Sequence, residues 1–552
     1  MRLFSGTIVG VLLAGCLTYV TSSAVRADEI VSPPTQPVDV STATIPAVPD
    51  QPSALAAEAD DGADLVAELP ARRTDEFGLV GVTWSSGFDT EGLLVEVRLR
   101  TDGTWSGWDE LHVEVDDGSE GGRDGTEALW VGSADGVAVR VQTPTGERPP
   151  GLQVSTIDPG TSPAEATTSS ASPAFYSGTA ADATTIADGT PSYTARPAII
   201  SRSAWGAAKN TKCDSPITGN ETRGVVVHHT AGTNSYSKAQ SAAIVRATQA
   251  YHMKARKWCD VGYNFLVDKY GQIFEGRNGG VDKAVRAAHS GNAAVNTYTM
   301  GVSMMGTFSS SEPTAATKNA MVRLIGWRLG TTFHPAKGTY SLGGKTLNRI
   351  AGHRDVVGTE CPGAAAYRWL GASGGLRDRV ATYISRYSTP ILSRYRQLGV
   401  GSTGPVYVGE YPFSSNGGGR KARMANIDVI TSPKGTFWVR SYVRSRFNRT
   451  GGQTKVLGVP VANAVRTARS RVMLQRFEKG TIYRVKRPGK KHQAYALWGP
   501  VATKYRSLKE ADGRLGAPKK TQTKISGGRQ RVWFANGHIT WQANGRVTAV
   551  VR

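Results

Sequence analysis

The chain has 552 residues, too many for one hydrophobic core, so about three or four folded units are expected. Its formal charge of +22 comes from 66 Lys and Arg against 44 Asp and Glu. That charge is polarised: residues 28–195 hold 29 acids against 7 Arg and no Lys, residues 196–400 hold 27 basic residues against 10 acids, and residues 401–552 hold 30 against 5.

Residues 1–27 read as a secretory leader, with Arg2, an apolar run from Leu3 to Val20, and Val25 and Ala27 before a cut at Asp28. A rival reading is a lipoprotein signal, in which Leu13-Ala14-Gly15-Cys16 precedes lipidation of Cys16. The apolar run continues past Cys16, which favours simple secretion. The run is glycine-interrupted and only just long enough to span a bilayer, and nothing later resembles a span. Outside the cell the available polyanions are wall phosphates, uronates and peptide carboxylates, which suit the basic regions. The opposed charges also raise the question of whether the acidic N-terminal region acts on the basic domains.

Residues 28–75 are rich in Pro, Ala, Asp and Val without sustained periodicity, and the composition predicts a disordered tether. Residues 76–157 predict a small all-β domain of sandwich type. Gly81-Val82-Thr83-Trp84, the run Leu93–Arg100, Leu111–Val115 and Ala138–Gln142 read as strands, and Thr101–Thr104 reads as a turn. Its tryptophans are assigned to packing ahead of glycan stacking. Residues 158–195 are Ser, Thr and Ala rich and read as a second linker.

Residues 196–390 predict an α/β domain with a mixed sheet. Val225–Val227 is a buried strand, 239–255 a helix, and Phe265–Val267 with Ile273–Glu275 a hairpin around Asp268–Gly271. Met300–Gly306 is another core strand, and 314–330 an amphipathic helix carrying Ala320, Leu324, Trp327 and Arg328.

Residues 391–552 form a basic, repetitive domain. Leu457-Gly458-Val459-Pro460 recurs as Leu515-Gly516-Ala517-Pro518, 58 positions on, and Phe477–Tyr483 recurs as Phe534–Thr540, 57 on. Leu398-Gly399 lies 59 before Leu457-Gly458, which marks a degraded third copy. A fixed period of this size means stacked units. The pattern resembles LGFP repeats, although the letters here are LGVP and LGAP and the acidic residue that often follows is missing. The resemblance implies anchoring to the cell wall, and the basic charge favours an anionic wall polymer.

The chemistry concentrates in the central domain. Val225-Val226-Val227-His228-His229-Thr230 ends a strand with two imidazoles, and His353 and Cys361 stand eight positions apart. One His from the pair with His353 and Cys361 makes three N/S donors, the usual complement of a catalytic zinc with an open position. Such an ion activates a water and polarises a carbonyl at neutral pH.

Four ordered motifs follow one another: VVVHHTAG at 225–232, WCDVGYNFLVDKYGQIFEGR at 258–277, AAHSGN at 287–292 and AGHRDVVGTECPG at 351–363. This set resembles the type-2 N-acetylmuramoyl-L-alanine amidases and the peptidoglycan recognition proteins. The likeness covers roughly residues 196–375, about a third of the chain. It implies hydrolysis of the amide between the lactyl group of N-acetylmuramic acid and L-alanine in peptidoglycan. It implies zinc held by His228, His353 and Cys361, with His228 chosen over His229 because the family ligand directly follows the strand. Tyr263 matches the family's catalytic tyrosine, and Thr359, at a position where relatives carry Lys or Thr, is a second catalytic candidate whose hydroxyl can hold the water or the oxyanion. His289 and Asn292 match groove-lining positions. Arg277 is a candidate for stem carboxylates, or pairs with Glu275. Asp355 is a candidate for orienting His353, and His252 is assigned to packing.

No carboxylate stands out as a general base, since Glu360 should face away from the metal. With Cys361 taken by the metal, Cys213 and Cys259 are free to form a disulfide in an oxidising compartment; both remaining as buried thiols is the alternative. An intact donor set favours catalysis over a recognition module that binds muropeptide without cutting, and over a wall-tethering scaffold. Nothing in the chain resembles a phosphate-handling or base-stacking motif, so nucleic acid is not an expected partner.

Overall fold

The computed structural model describes residues 36–48, 64–114, 120–162, 175–176, 194–209, 216–219, 221–486 and 492–552. The expected leader at 1–27, with Cys16, and also Cys213 lie outside these residues. Among the described residues no helix is long and apolar enough to cross a membrane.

The N-terminal domain is a nine-stranded antiparallel sheet. Two long strands dominate it, Asp64–Trp84 and Leu129–Thr143, paired through several register shifts. Bulges of this kind bend strands, and the inner face closes on Val80, Val82, Trp84, Val95, Val97, Val139 and Val141. The tether expected over 28–75 is contradicted where the chain is described. Asp39–Thr44 is an edge strand on Gln153–Asp158, and residues 64–75 begin the longest strand of the domain. Ala67 and Leu69 point inward there, and Ile45 is fully buried. Pro37 and Pro46 flank the strand Asp39–Thr44, and Pro70 is exposed within the long strand, places where a missing N–H is tolerated.

The central domain has a seven-stranded mixed sheet, in the order Phe175–Tyr176, Ile199–Ile200, Ile273–Glu275, Phe265–Val267, Thr299–Met304, Gly224–His229, Ile350–Gly352. The expected 158–195 linker therefore contributes one short strand to this sheet. The hairpin forms as anticipated. The long helix spans Ala315–Thr331, with the Thr314 hydroxyl capping its N-terminus. Ala320, Leu324 and Trp327 bury it against the sheet with Leu376 and Val380. On the opposite face, helix Ser241–Ala250 runs into a wide turn at Tyr251–Ala255.

The C-terminal domain consists of three four-stranded antiparallel sheets, spanning Val406–Arg440, Val465–Trp498 and Thr523–Val551. Helices Pro390–Leu398, Ser441–Arg449 and Gly499–Ser507 precede them, so the degraded upstream copy is a complete unit. The repeated signature has a repeated role: Pro460 bridges to Phe477, and Pro518 to Phe534. Leu457 is buried with Val439 of the first unit and with Phe447, Phe477 and Ile482 of the second. Leu515 joins the second and third units in the same way. Stability in such an array is carried by these nearest-neighbour contacts. Leu457→Ala is expected to cost roughly 2–5 kcal/mol, read as early unfolding of the repeat block by denaturant titration with the central domain's transition unchanged.

Candidate metal centre

The strand Gly224–His229 lies centrally, with parallel neighbours on both sides. All six of its residues are buried, which is why it reads as a continuous β-branched run. Val225 and Val227 face the core under helix Ala315–Thr331, and Val226 faces Leu342, Leu347 and Val356. Alternation sends His228 to the Val226 side and His229 to the other. Register completes the site: Val227 pairs with Gly352, so His353, just beyond the neighbouring strand, comes level with His228. Their ring centroids are 4.4 Å apart.

The chain then turns back. The Gly352 N–H and the Tyr367 hydroxyl both donate to the Asp355 carboxylate, at 2.9 and 2.5 Å. The Arg354 N–H donates to the Cys361 carbonyl at 3.0 Å. Asp355 thus shapes the turn that carries His353. Cys361 Sγ arrives 3.7 Å from His228 Nδ1 and accepts the His229 backbone N–H at 3.4 Å.

His228, His353 and Cys361 each offer a donor atom, all within 4.8 Å of one another, and all three side chains are buried. Both ring nitrogens of His353 are buried without a hydrogen bond of normal geometry, although the Ser290 backbone is close enough to favour the protonated ring, and such burial is costly unless something else engages them. Burial holds the His228 imidazole well below its ordinary range, with His353 and His289 adding repulsion, and lowers His353 to about 4. Burial, reinforced by Glu127, pushes the Cys361 thiol well up. Two neutral imidazoles and a thiol that needs a cation to ionise are a donor set suited to zinc.

Tyr263 stands over this set, its ring 5.3 Å from that of His228. Its carbonyl accepts the Arg277 N–H, and the next side chain, Asn264, ties Val285 to Gly301. Burial, together with the charges of Glu114 and Glu127, raises the Tyr263 phenol well above its ordinary value, so it stays a proton donor. Thr359 is half-buried, and its hydroxyl accepts the Cys361 N–H at 3.2 Å. Glu360 is exposed and paired with Arg354.

Three residues expected in the groove have partners within the protein. His289 lies behind His228, its Nδ1 3.0 Å from His228 Nε2 and its Nε2 3.4 Å from the Thr299 hydroxyl. Gly301 makes room for it, since a Cβ there would meet the ring at 2.4 Å. Asn292 caps helix Ala293–Tyr298, accepting from the Ala294 and Val295 N–H groups. Arg277 is buried and paired with Glu120 of the N-terminal domain. Its side chain also reaches Cys259 Sγ at 2.9 Å. Cys259 is disulfide-bonded, while its expected partner Cys213 lies outside the described residues. His252 packs against Trp258 and accepts the Gly262 N–H.

One further residue reaches the centre. Glu127, from the N-terminal domain, is 5% exposed and sits 3.7 Å from His229 Nε2. Its carboxyl, that nitrogen and Cys361 Sγ lie within 4.8 Å of one another. Sequence reasoning missed it because it lies 101 positions before His228 on a different sheet. A signal for the docking did exist: Phe77–Trp84 is buried at every position, and a strand covered on both faces requires a second partner.

Comparison with known proteins agrees with this architecture. The family described as N-acetylmuramoyl-L-alanine amidase matches residues 218–364. The family described as Rv3811 N-terminal galactose-binding domain-like matches 34–174, and the LGFP repeat matches 457–513. Peptidoglycan recognition protein 1 of Bos taurus is 36% identical over 171 residues, 31% of this chain and 80% of that protein. Peptidoglycan-recognition protein SC2 of Drosophila melanogaster is 34% identical over 165 residues, 30% of this chain and 80% of that protein. Among solved structures, Drosophila PGRP-LB is 27% identical, with a TM-score of 0.26, covering 31% of this chain and 89% of that one. The chain belongs to the family of peptidoglycan recognition proteins and N-acetylmuramoyl-L-alanine amidases, here joined to a galactose-binding-like domain and LGFP repeats.

Proposed function

We propose that this protein is a secreted, zinc-dependent N-acetylmuramoyl-L-alanine amidase. It cuts the amide between the lactyl group of N-acetylmuramic acid and the L-alanine of the stem peptide. The observation that carries this reading is the convergence of His228, His353 and Cys361, two nitrogens and one sulfur, beneath Tyr263. A recognition module needs no such donor set, and its buried unpartnered nitrogens would only destabilise it.

When bound, zinc would polarise the scissile carbonyl and lower the pKa of a water. The protein's own groups do the rest. His228 is held in one ring orientation by His289, which is in turn backed by Thr299. Tyr263, kept protonated, donates toward the oxygen that gains charge as the carbonyl is attacked. Thr359 ties down the loop that presents Cys361. Residues 1–27 direct export, and the repeats hold the enzyme on an anionic wall polymer.

The test is incubation with purified peptidoglycan, with and without a zinc chelator, followed by mass spectrometry. Stem peptides beginning at L-alanine, lost with chelator and restored by zinc, are the expected result. Intact muropeptides that remain bound would show recognition without cleavage and sink the amidase reading. Removing residues 401–552 is expected to weaken wall association, most clearly at low salt where the charge attraction is least screened, while soluble muropeptides are still cut. Unchanged wall pull-down across salt concentrations would remove the anchoring assignment.

A further inference from the structure

We propose that Glu127, a residue of the galactose-binding-like domain, is a positioning residue of the metal centre, so that two domains build the centre jointly. This inference rests on the zinc-amidase reading. The carboxyl stands at His229 Nε2 and Cys361 Sγ, and one of its oxygens is buried without a hydrogen-bond partner. His229 Nδ1 accepts the Phe308 N–H at 3.3 Å. Its proton therefore sits on Nε2, aimed at Glu127. The same residue's backbone N–H holds the Cys361 sulfur. Glu127 thus braces the residue that holds the thiolate ligand and flanks the sulfur itself.

Glu127 is not a fourth ligand. The two donor clusters, His228–His353–Cys361 and Glu127–His229–Cys361, share only the sulfur. His229, with its proton on the nitrogen that faces Glu127, has no lone pair to offer there.

The geometry is that of a fixed part and not of a lid. The loop carrying Glu127 is pinned on both sides: its N–H donates to the His112 carbonyl, and the Tyr251 hydroxyl reaches the Thr126 carbonyl at 2.9 Å. Gly81 lies against Tyr251 so closely that a Cβ would meet the ring at 2.4 Å. Leu79, Trp130 and Ile157 share one apolar cluster with Trp205, Ile244, Tyr251 and Tyr263. An interface this apolar behaves as a core and holds its polar groups in place. A carboxyl buried there with an unpartnered oxygen weakens the packing, which a role at the centre explains.

The experiment measures zinc affinity by chelator competition in the full chain for wild type, E127A, E127Q and I157A. It adds the thiolate-to-metal absorption band after cobalt(II) substitution. E127A is expected to bind zinc at least about tenfold more weakly. E127Q retains size and an acceptor oxygen for the His229 Nε2–H, so it recovers part of that affinity, but its cobalt band moves because the group beside the sulfur has changed. I157A, on the strand Gln153–Asp158, loosens the apolar interface without removing a bond to the loop that carries Glu127, so its melting temperature falls while its affinity and band stay put. E127Q preserves packing and keeps the test open if E127A does not fold. An unmoved band in E127Q overturns the inference, as does E127A binding zinc as well as or better than wild type. Wild type without stoichiometric zinc would instead overturn the amidase reading, and this inference with it.

Discussion

Cys361→Ser is expected to leave the protein without stoichiometric zinc and to lower stem-peptide release by at least roughly a hundredfold. The thiolate is the one anionic donor in the set and the one soft ligand. A serine hydroxyl does not ionise near neutral pH, and it would leave two neutral imidazoles to hold the ion. The substitution is small, and Cys361 sits in a turn fixed by its backbone, with its N–H on Thr359 and its carbonyl taking the Arg354 N–H. The fold should therefore survive, and the loss belongs to the centre. Metal content after dialysis, measured beside mass-spectrometric product analysis, decides the matter. Stoichiometric zinc in this variant would sink the ligand assignment.

Glu114→Ala is expected to produce the largest loss of stability. Arg256 is fully buried at the interface between the first two domains, paired with the Glu114 carboxylate at 2.9 Å. It also donates to the Glu114 and Arg123 carbonyls and lies over Trp258. A buried ion pair adds little compared with apolar packing, but removing one partner strands the other charge, at about 3–5 kcal/mol. For domains of this size each kcal/mol moves the melting temperature by about 2–4 °C. Scanning calorimetry of the full chain should show the shared transition of the two domains lowered by roughly 6–20 °C. The milder Glu114→Gln, which keeps a carbonyl acceptor, should fall between. An unchanged transition would mean that the two domains do not dock through Arg256.

The charge polarity seen along the chain has a local counterpart here. Glu114 and Glu120 of the acidic domain meet Arg256 and Arg277 of the basic one. Arg277 therefore has a structural partner before any substrate carboxylate arrives. The same docking delivers Glu127 to the centre, so the carboxylate that the central domain lacks in its own sequence stands beside the metal ligands from outside.

What the sequence determined by itself was whatever depends on neighbours along the chain. The run Val225–His229 declared a buried strand ending in donors, and strand alternation by itself separates His228 from His229. The turn Asp268–Gly271 declared a hairpin, and the 57- and 58-residue spacings declared stacked units whose leucines and prolines recur in equivalent contacts. These signals are short-range, because dihedral preference, side-chain period and turn chemistry act over a few residues. Tertiary structure alone decided what depends on surfaces distant in sequence. Asp39–Thr44 and residues 64–75 look like tether until Gln153–Asp158 and Val137–Thr143 pair with them. His289, Asn292 and Arg277 find partners that the sequence does not announce: His228, a helix end and Glu120. Glu127 has no local mark at all. Its place follows from the shape and charge complementarity of two domains, a free energy shared among many weak contacts and visible only once both surfaces exist.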